Sequence, residues 1–255
     1  MTTTVAEASA PTAWSRDEIW RTMARGFGQL LITAGVVILL FVAYELWFTG
    51  YYTQQQQSTL NTQIEKQWTQ NAAPDVSTVA PDKVKIGSGI AVLYIPRFGK
   101  HYHFVVVEGV GTDDLKKGPG HYPGTALPGQ IGNFYVAGHR TTYLHPFNKI
   151  ATLRRGDKIV LETKSMWFTY TIQDIPGTNI RWKEIVSPTD VAAAVYPVPD
   201  QSNPNKKPTL RLLTFSSCHP EYSASERYII HAELTQSLPK TPGQYPAALS
   251  APVGH

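Results

Sequence analysis
The order of apolar and polar positions divides the 255-residue chain into three textures. From Phe27 to Phe48 the sequence FGQLLITAGVVILLFVAYELWF is apolar on every face of a helix, unlike an amphipathic surface helix. At a rise of about 1.5 Å per residue, its roughly 22 residues match the hydrocarbon core of a bilayer. Gln29 and Glu45 fall near its two ends, and Trp47, Tyr51 and Tyr52 form an aromatic belt at the far side. The stretch is longer than a signal-peptide core and no small-x-small cleavage site follows, so the pattern predicts one transmembrane helix.

From Thr49 to about Lys85 the chain is polar, with a glutamine run at Gln54 to Gln57 and prolines at Pro74 and Pro81. Ser58 to Gln70 is compatible with a continued helix, and the remainder reads as a tether without chemistry of its own. From Ile86 the texture changes to short apolar runs separated by Gly, Pro, Asn and Asp. Ile90–Ile95, Phe104–Glu108, Gly132–Ala137, Lys158–Glu162, Trp167–Ile172, Thr209–Phe215 and Tyr228–Leu234 all predict strands. Only two short helices are expected among them, near Asp113 to Lys117 and Pro188 to Val195. Many short strands with few helices imply a closed or nearly closed β-barrel, mainly β and of about eight strands, which leaves no exposed sheet edge. The Pro- and Ala-rich stretch after Leu234 predicts a disordered tail. The expected organisation is therefore a tail at 1–26, a transmembrane helix at 27–48, a polar linker at 49–85, a barrel domain at 86–235 and a second tail at 236–255.

Arg16, Arg21 and Arg25 precede the apolar run, whereas no Lys or Arg follows it until Lys66. The positive-inside rule then places the N-terminus in the cytoplasm and the barrel outside the cell. A net charge of only +4, with scattered basic residues, gives no nucleic-acid-binding patch. Acidic residues such as Asp113, Asp114, Glu184 and Asp190 show no ligand spacing, and His101, His103 and His121 lack a Cys or acidic partner at metal-site spacing. No metal and no cofactor are expected.

Cys218 is the only cysteine, so it has no intramolecular disulfide partner and is either a core thiol or a reactive one. It ends an apolar run in Thr214-Phe215-Ser216-Ser217-Cys218-His219-Pro220. His139 lies upstream in Val136-Ala137-Gly138-His139-Arg140, and Arg227 follows in Glu226-Arg227-Tyr228. Cysteine acyl transfer needs a thiolate, a proton carrier for the leaving amine and a group that stabilises the oxyanion, and these three residue types supply that set.

A membrane anchor, a small extracytoplasmic β-barrel and the chain order His, Cys, Arg together resemble the sortases. The resemblance runs from about Gly89 to Leu234. It is carried by Ala137-Gly138-His139, by the cysteine at a strand end, and by an arginine nine residues later at the start of the next strand. The family's Thr-Leu-x-Thr-Cys stands here as Thr214-Phe215-Ser216-Ser217-Cys218, with Phe for Leu and Ser for Thr. Cys218-His219-Pro220 and Gly118-Pro119-Gly120-His121-Tyr122-Pro123-Gly124 are similar to the class E sortases of actinobacteria.

The resemblance implies a cysteine transpeptidase that cleaves a C-terminal sorting motif, Leu-Ala-x-Thr-Gly or Leu-Pro-x-Thr-Gly, between Thr and Gly. Cys218 is then the nucleophile that forms a thioester, His139 the acid and base, and Arg227 the oxyanion or substrate-backbone donor. Tyr122 and Ser217 are expected to contact substrate, Tyr122 at the second motif residue. The implied partners are secreted proteins bearing sorting signals and a peptidoglycan-precursor amine. A cell-wall L,D-transpeptidase is the other Cys/His enzyme outside the membrane, but its Ser-x-Gly-Cys-like segment is absent. A non-catalytic barrel that binds envelope components, with Cys218 incidental, is the remaining alternative. His219 adjoins the cysteine but is expected on the opposite strand face.

Overall fold
The computed structural model describes residues 16–44, 49–70, 74–190 and 207–250. The chain forms two compact units, Met1–Leu46 and Trp47–His255. Within the first, α1 (Arg16–Ala43) is long and apolar enough to cross a membrane, and none of its residues is buried. It begins earlier than the predicted span, so part of the expected tail is helical. Asp17 and Glu18 in its first turn complement the helix dipole.

The second unit is built on nine strands: β1 (Gly89–Tyr94), β2 (His103–Glu108), β3 (Gly120–His121), β4 (Gly132–Ala137), β5 (Lys158–Glu162), β6 (Met166–Ile172), β7 (Lys183–Val186), β8 (Arg211–His219) and β9 (Glu226–Pro239). They pair in the order β6-β5-β1-β2-β3-β4-β8-β9-β7, and a further β6–β9 pairing closes eight of them into the expected barrel. β7 is left outside the ring, paired only along the first part of β9. Side chains such as Leu93, Phe134, Val136, Leu161, Tyr170 and Phe215 alternate inward and are removed from water. Each contributes about 1.5–3 kcal/mol by burial.

Two strands escaped the sequence pattern. β3 has only two residues and lies in a Gly/Pro stretch, where no period can register. A Cβ on Gly120 would run into the Gly109 carbonyl, so this strand exists because the backbone comes that close. β7 alternates between exposed and half-buried positions and carries Lys183 and Glu184, which masks its pairing. The short α3 (Thr112–Leu115) stands where a helix was expected. The second expected helix falls mostly outside the described residues.

The polar segment after the apolar run is not the expected tether. α2 (Thr49–Thr69) docks on the outside of β1 and β2, with Leu60 and Ile64 packed on Val92, Val105 and Val107. Thr53, Gln57, Leu60, Ile64 and Trp68 recur at the spacing of one helical face, and two of those five are polar, which hid the stripe. Gln57, inside the glutamine run, closes a gap beside β2: its Oε1 accepts from Val105 N at 2.7 Å and its Nε2 donates to Val105 O at 3.0 Å and Lys117 O at 2.7 Å. Gln57→Ala leaves those backbone groups unpaired, so a loss of about 1–3 kcal/mol is expected, read as an earlier urea midpoint.

The C-terminal stretch also differs from the expected tail. β9 stays paired with β6 as far as Pro239. Lys240 then ion-pairs with Glu162 and lies 4.1 Å from the centre of the Trp68 ring. Tyr245 packs edge-on to Trp167, and α4 (Ala247–Ser250) follows. A cation over an aromatic face and one strand-long pairing outweigh the Pro/Ala composition from which disorder was inferred.

Candidate functional site
The site arises from one topological fact: β4 and β8 are parallel neighbours, in register from Gly132↔Arg211 to Ala137↔Ser216. Parallel neighbours end at the same rim, so the residues that follow them emerge side by side. Just past β4, Gly138 N donates to Ser216 O at 3.1 Å and Ser217 Oγ donates to Gly138 O at 2.9 Å. His139 comes next. On the other side of β8, antiparallel β9 begins at the same rim, with Cys218 directly opposite Arg227.

Strand alternation fixes the face. Phe134 and Val136 on β4, Leu213 and Phe215 on β8, and Tyr228 and Ile230 on β9 belong to the barrel core. Tyr135, Ala137, Ser216, Cys218, Arg227 and Ile229 therefore lie on the outer face. Tyr135 and Ile229, with Ala137 and Val186 of β7, form a small apolar floor there. Burial pushes the Tyr135 phenol up to about 12, against the opposing effects of a hydrogen bond with Ser216 and the nearby Arg227 charge. The tyrosine is thus a neutral wall.

Cys218 is half-buried. Arg227 is half-buried too, and its Nη1 donates to Ala224 O at 2.9 Å and Glu226 O at 3.0 Å, which clamps the guanidinium to the turn between β8 and β9. His139 Nε2 is shielded from solvent and has no hydrogen-bond partner among the described residues. Burial lowers the pKa of this imidazole, because a charge there is poorly solvated.

Tyr122 follows β3, is 40 % exposed, and sets its ring edge-on to Tyr135 at 5.9 Å, so it joins the same outer face. A buried relay holds its turn. Glu108 Oε2 lies 2.7 Å from His121 Nδ1, Thr125 Oγ1 lies 2.7 Å from His121 Nε2, and Thr125 also donates to the Tyr122 carbonyl. Both nitrogens of His121 are thereby engaged within the fold.

Ser217, expected to touch substrate, is 3 % exposed and its hydroxyl donates to Gly138 O. Being one residue from Cys218 on a strand, it points to the other face; its work is to tie β8 to the segment that carries His139. His219 also lies on that other face, its ring tilted against that of Tyr228 with centroids 5.5 Å apart. Arg140, indistinguishable from scaffold in the sequence, is buried and donates through Nη1 to the Cys218 carbonyl at 3.1 Å. The long reach of a guanidinium across two strands leaves no signature in sequence spacing.

The Sortase domain matches residues 93–235 of this chain, a span that includes Tyr122, Tyr135, His139, Cys218 and Arg227. The chain belongs to the sortase family. Sortase SrtE1 of Streptomyces coelicolor is 32 % identical over 89 % of this chain, the alignment spanning 61 % of SrtE1's own length. Among solved structures, sortase E of Streptomyces avermitilis is 43 % identical, with a TM-score of 0.55 over 65 % of this chain and 99 % of that one. The sortase SrtF of Corynebacterium diphtheriae is 33 % identical, with a TM-score of 0.62 over 68 % of this chain and 99 % of that one. These likenesses support the class E character read from Cys218-His219-Pro220 and the Tyr122 segment.

Proposed function
We propose that this sortase is a membrane-anchored cysteine transpeptidase, with α1 crossing the membrane, its N-terminus in the cytoplasm and the barrel outside. Cys218 attacks the threonine carbonyl of a C-terminal Leu-Ala-x-Thr-Gly or Leu-Pro-x-Thr-Gly motif; the C–N bond to glycine breaks and a thioester forms. His139 takes the Cys218 thiol proton, gives it to the departing amine and later takes one from the incoming amine, which releases Cys218 as the new amide forms. Arg227 donates to the oxyanion or to the substrate backbone, a task suited to a permanently charged, planar donor. The acceptor is a peptidoglycan-precursor amine, and the product is a wall-linked protein.

The observation that carries this reading is the rim itself: Cys218 and Arg227 are opposite partners on β8 and β9, and His139 leaves the parallel neighbour of β8. The apolar floor beside them suits an extended peptide, and Tyr122 borders it. The test is cleavage of two fluorogenic peptides, one of each motif, by the full-length protein in detergent with an amine acceptor present. Cysteine-dependent cleavage with transfer is expected, the Leu-Ala peptide being preferred. A folded protein that cleaves neither motif, with a thiol inert to alkylation, would instead be a non-catalytic envelope-binding barrel. Tyr122→Ala is expected to change the ratio of the two kcat/KM values by about 10-fold, on the order of one lost side-chain contact in a specificity pocket. An unchanged ratio would remove Tyr122 from the second-residue pocket.

A further inference from the structure
Three consecutive residues after the histidine, Tyr143, Leu144 and His145, have φ of 52°, 59° and 37°. None is glycine, and left-handed backbone is disfavoured for side-chain-bearing residues, so a run of three persists only where its surroundings fix it. The fixtures are visible. Phe147 N donates to His139 O at 3.0 Å, closing the loop on the histidine, and His145 N donates to Thr142 O at 2.7 Å within it. Phe147 is buried in the barrel core against Phe215, with ring centres 4.7 Å apart. A Cβ on Gly138 would overlap the Phe147 ring, so the chain enters the loop pressed onto this anchor. Leu144 shares a cavity of about 320 Å³ with Gln54, Gln57 and Ser58 of α2, so the helix borders the loop's far side.

The outcome of this unusual turn is the placement of one ring: Tyr143 lies against His139, with centroids 5.0 Å apart and planes tilted by 37°. Among the described residues no hydrogen bond sets the His139 ring angle, and its Nε2 is buried without a partner. An imidazole in that situation is oriented by packing. We infer that Tyr143 is the positioning residue of His139, and that the left-handed turn at residues 143–145 serves to hold the Tyr143 ring there. This rests on His139 being the proton carrier proposed above. Tyr143 acts through the histidine and not on substrate, so its loss affects the chemical step and leaves binding largely intact.

Kinetics of the full-length protein in detergent, normalised to alkylatable Cys218, test the assignment. Tyr143→Leu is expected to lower kcat roughly tenfold with KM within about twofold, the size of effect produced by misplacing a catalytic group. Tyr143→Phe keeps the ring and is expected to keep kcat. Equal kcat in wild type and the leucine variant, or equal loss in the leucine and phenylalanine variants, overturns the inference. A second pair keeps the test sound if Tyr143→Leu does not fold. Leu144→Gly and Leu144→Val both remove the leucine, but only glycine accepts positive φ freely. The glycine variant is expected to retain kcat and the valine variant to lose it; the same kcat in both overturns the role of the turn. If wild type cleaves neither peptide, the transpeptidase reading fails by itself. The contact is then read from the NMR titration of His139, whose midpoint is expected to rise in Tyr143→Leu as the ring becomes exposed. An unmoved midpoint overturns the inference.

Discussion
Cys218→Ala is expected to abolish peptide cleavage and thioester capture together, a loss of at least about 10⁴-fold, as removal of a covalent nucleophile does in other acyl-transfer enzymes. The chain offers no substitute, since Cys218 is its only cysteine. The fold is expected to survive the change. The thiol is half-buried at the end of β8, and the backbone there is held independently by pairing with Arg227 and by the Arg140 guanidinium on the Cys218 carbonyl. A melting temperature close to that of wild type, with turnover lost, separates a chemical role from a structural one. Undiminished turnover in the alanine variant would overturn the covalent mechanism. Retention of alkylation by iodoacetamide in wild type, and its absence in the variant, shows that the reactive thiol is this one.

How much of this was legible beforehand depended on the kind of signal. Barrel strands whose residues alternate or run apolar, such as β4 and β5, could be read with little error because burial of a sheet face imposes a period on the sequence. β3 and β7 could not, because a two-residue strand and a polar outer strand carry no period. α2 is the instructive failure: its docking stripe is regular, but Thr53 and Gln57 occupy it, and their value lies in backbone groups of β2, Lys116 and Lys117 that no local pattern announces. The same holds at the site. Cys218, His139 and Arg227 were proposed from residue type and resemblance, and the topology explains why residues so far apart in sequence lie at neighbouring strand ends. Ser217, expected to contact substrate, is turned by strand alternation to the face opposite Cys218 and donates its hydroxyl to Gly138 O. Arg140 and Tyr143 act across strands and through a left-handed turn, neither of which has a signature in the chain.

His139→Ala is expected to lower kcat/KM by several hundred-fold or more, the scale of a lost general acid and base. The same residue makes a pH-dependent contribution to stability whose sign follows from its environment. Burial lowers the folded-state pKa of His139, whereas in the unfolded chain the group titrates near its ordinary value of about 6.5. Between those two values the unfolded imidazole holds a proton that the folded one has released, so unfolding takes up protons and acid favours it. Above about pH 6.5 both forms are neutral and the contribution to stability is present in full; it is lost as pH falls through the window down to the folded-state value. Urea midpoints of wild type measured from pH 7.5 downward are therefore expected to decline more steeply below about pH 6.5 than those of His139→Ala. Direct NMR titration of the ring is expected to give a midpoint below 6.5. A midpoint above that value would mean that a negative partner, and not burial, governs the histidine. With a midpoint above about 7 the imidazole would carry its proton at neutral pH, and the proton for the leaving amine would already be in place before substrate arrives.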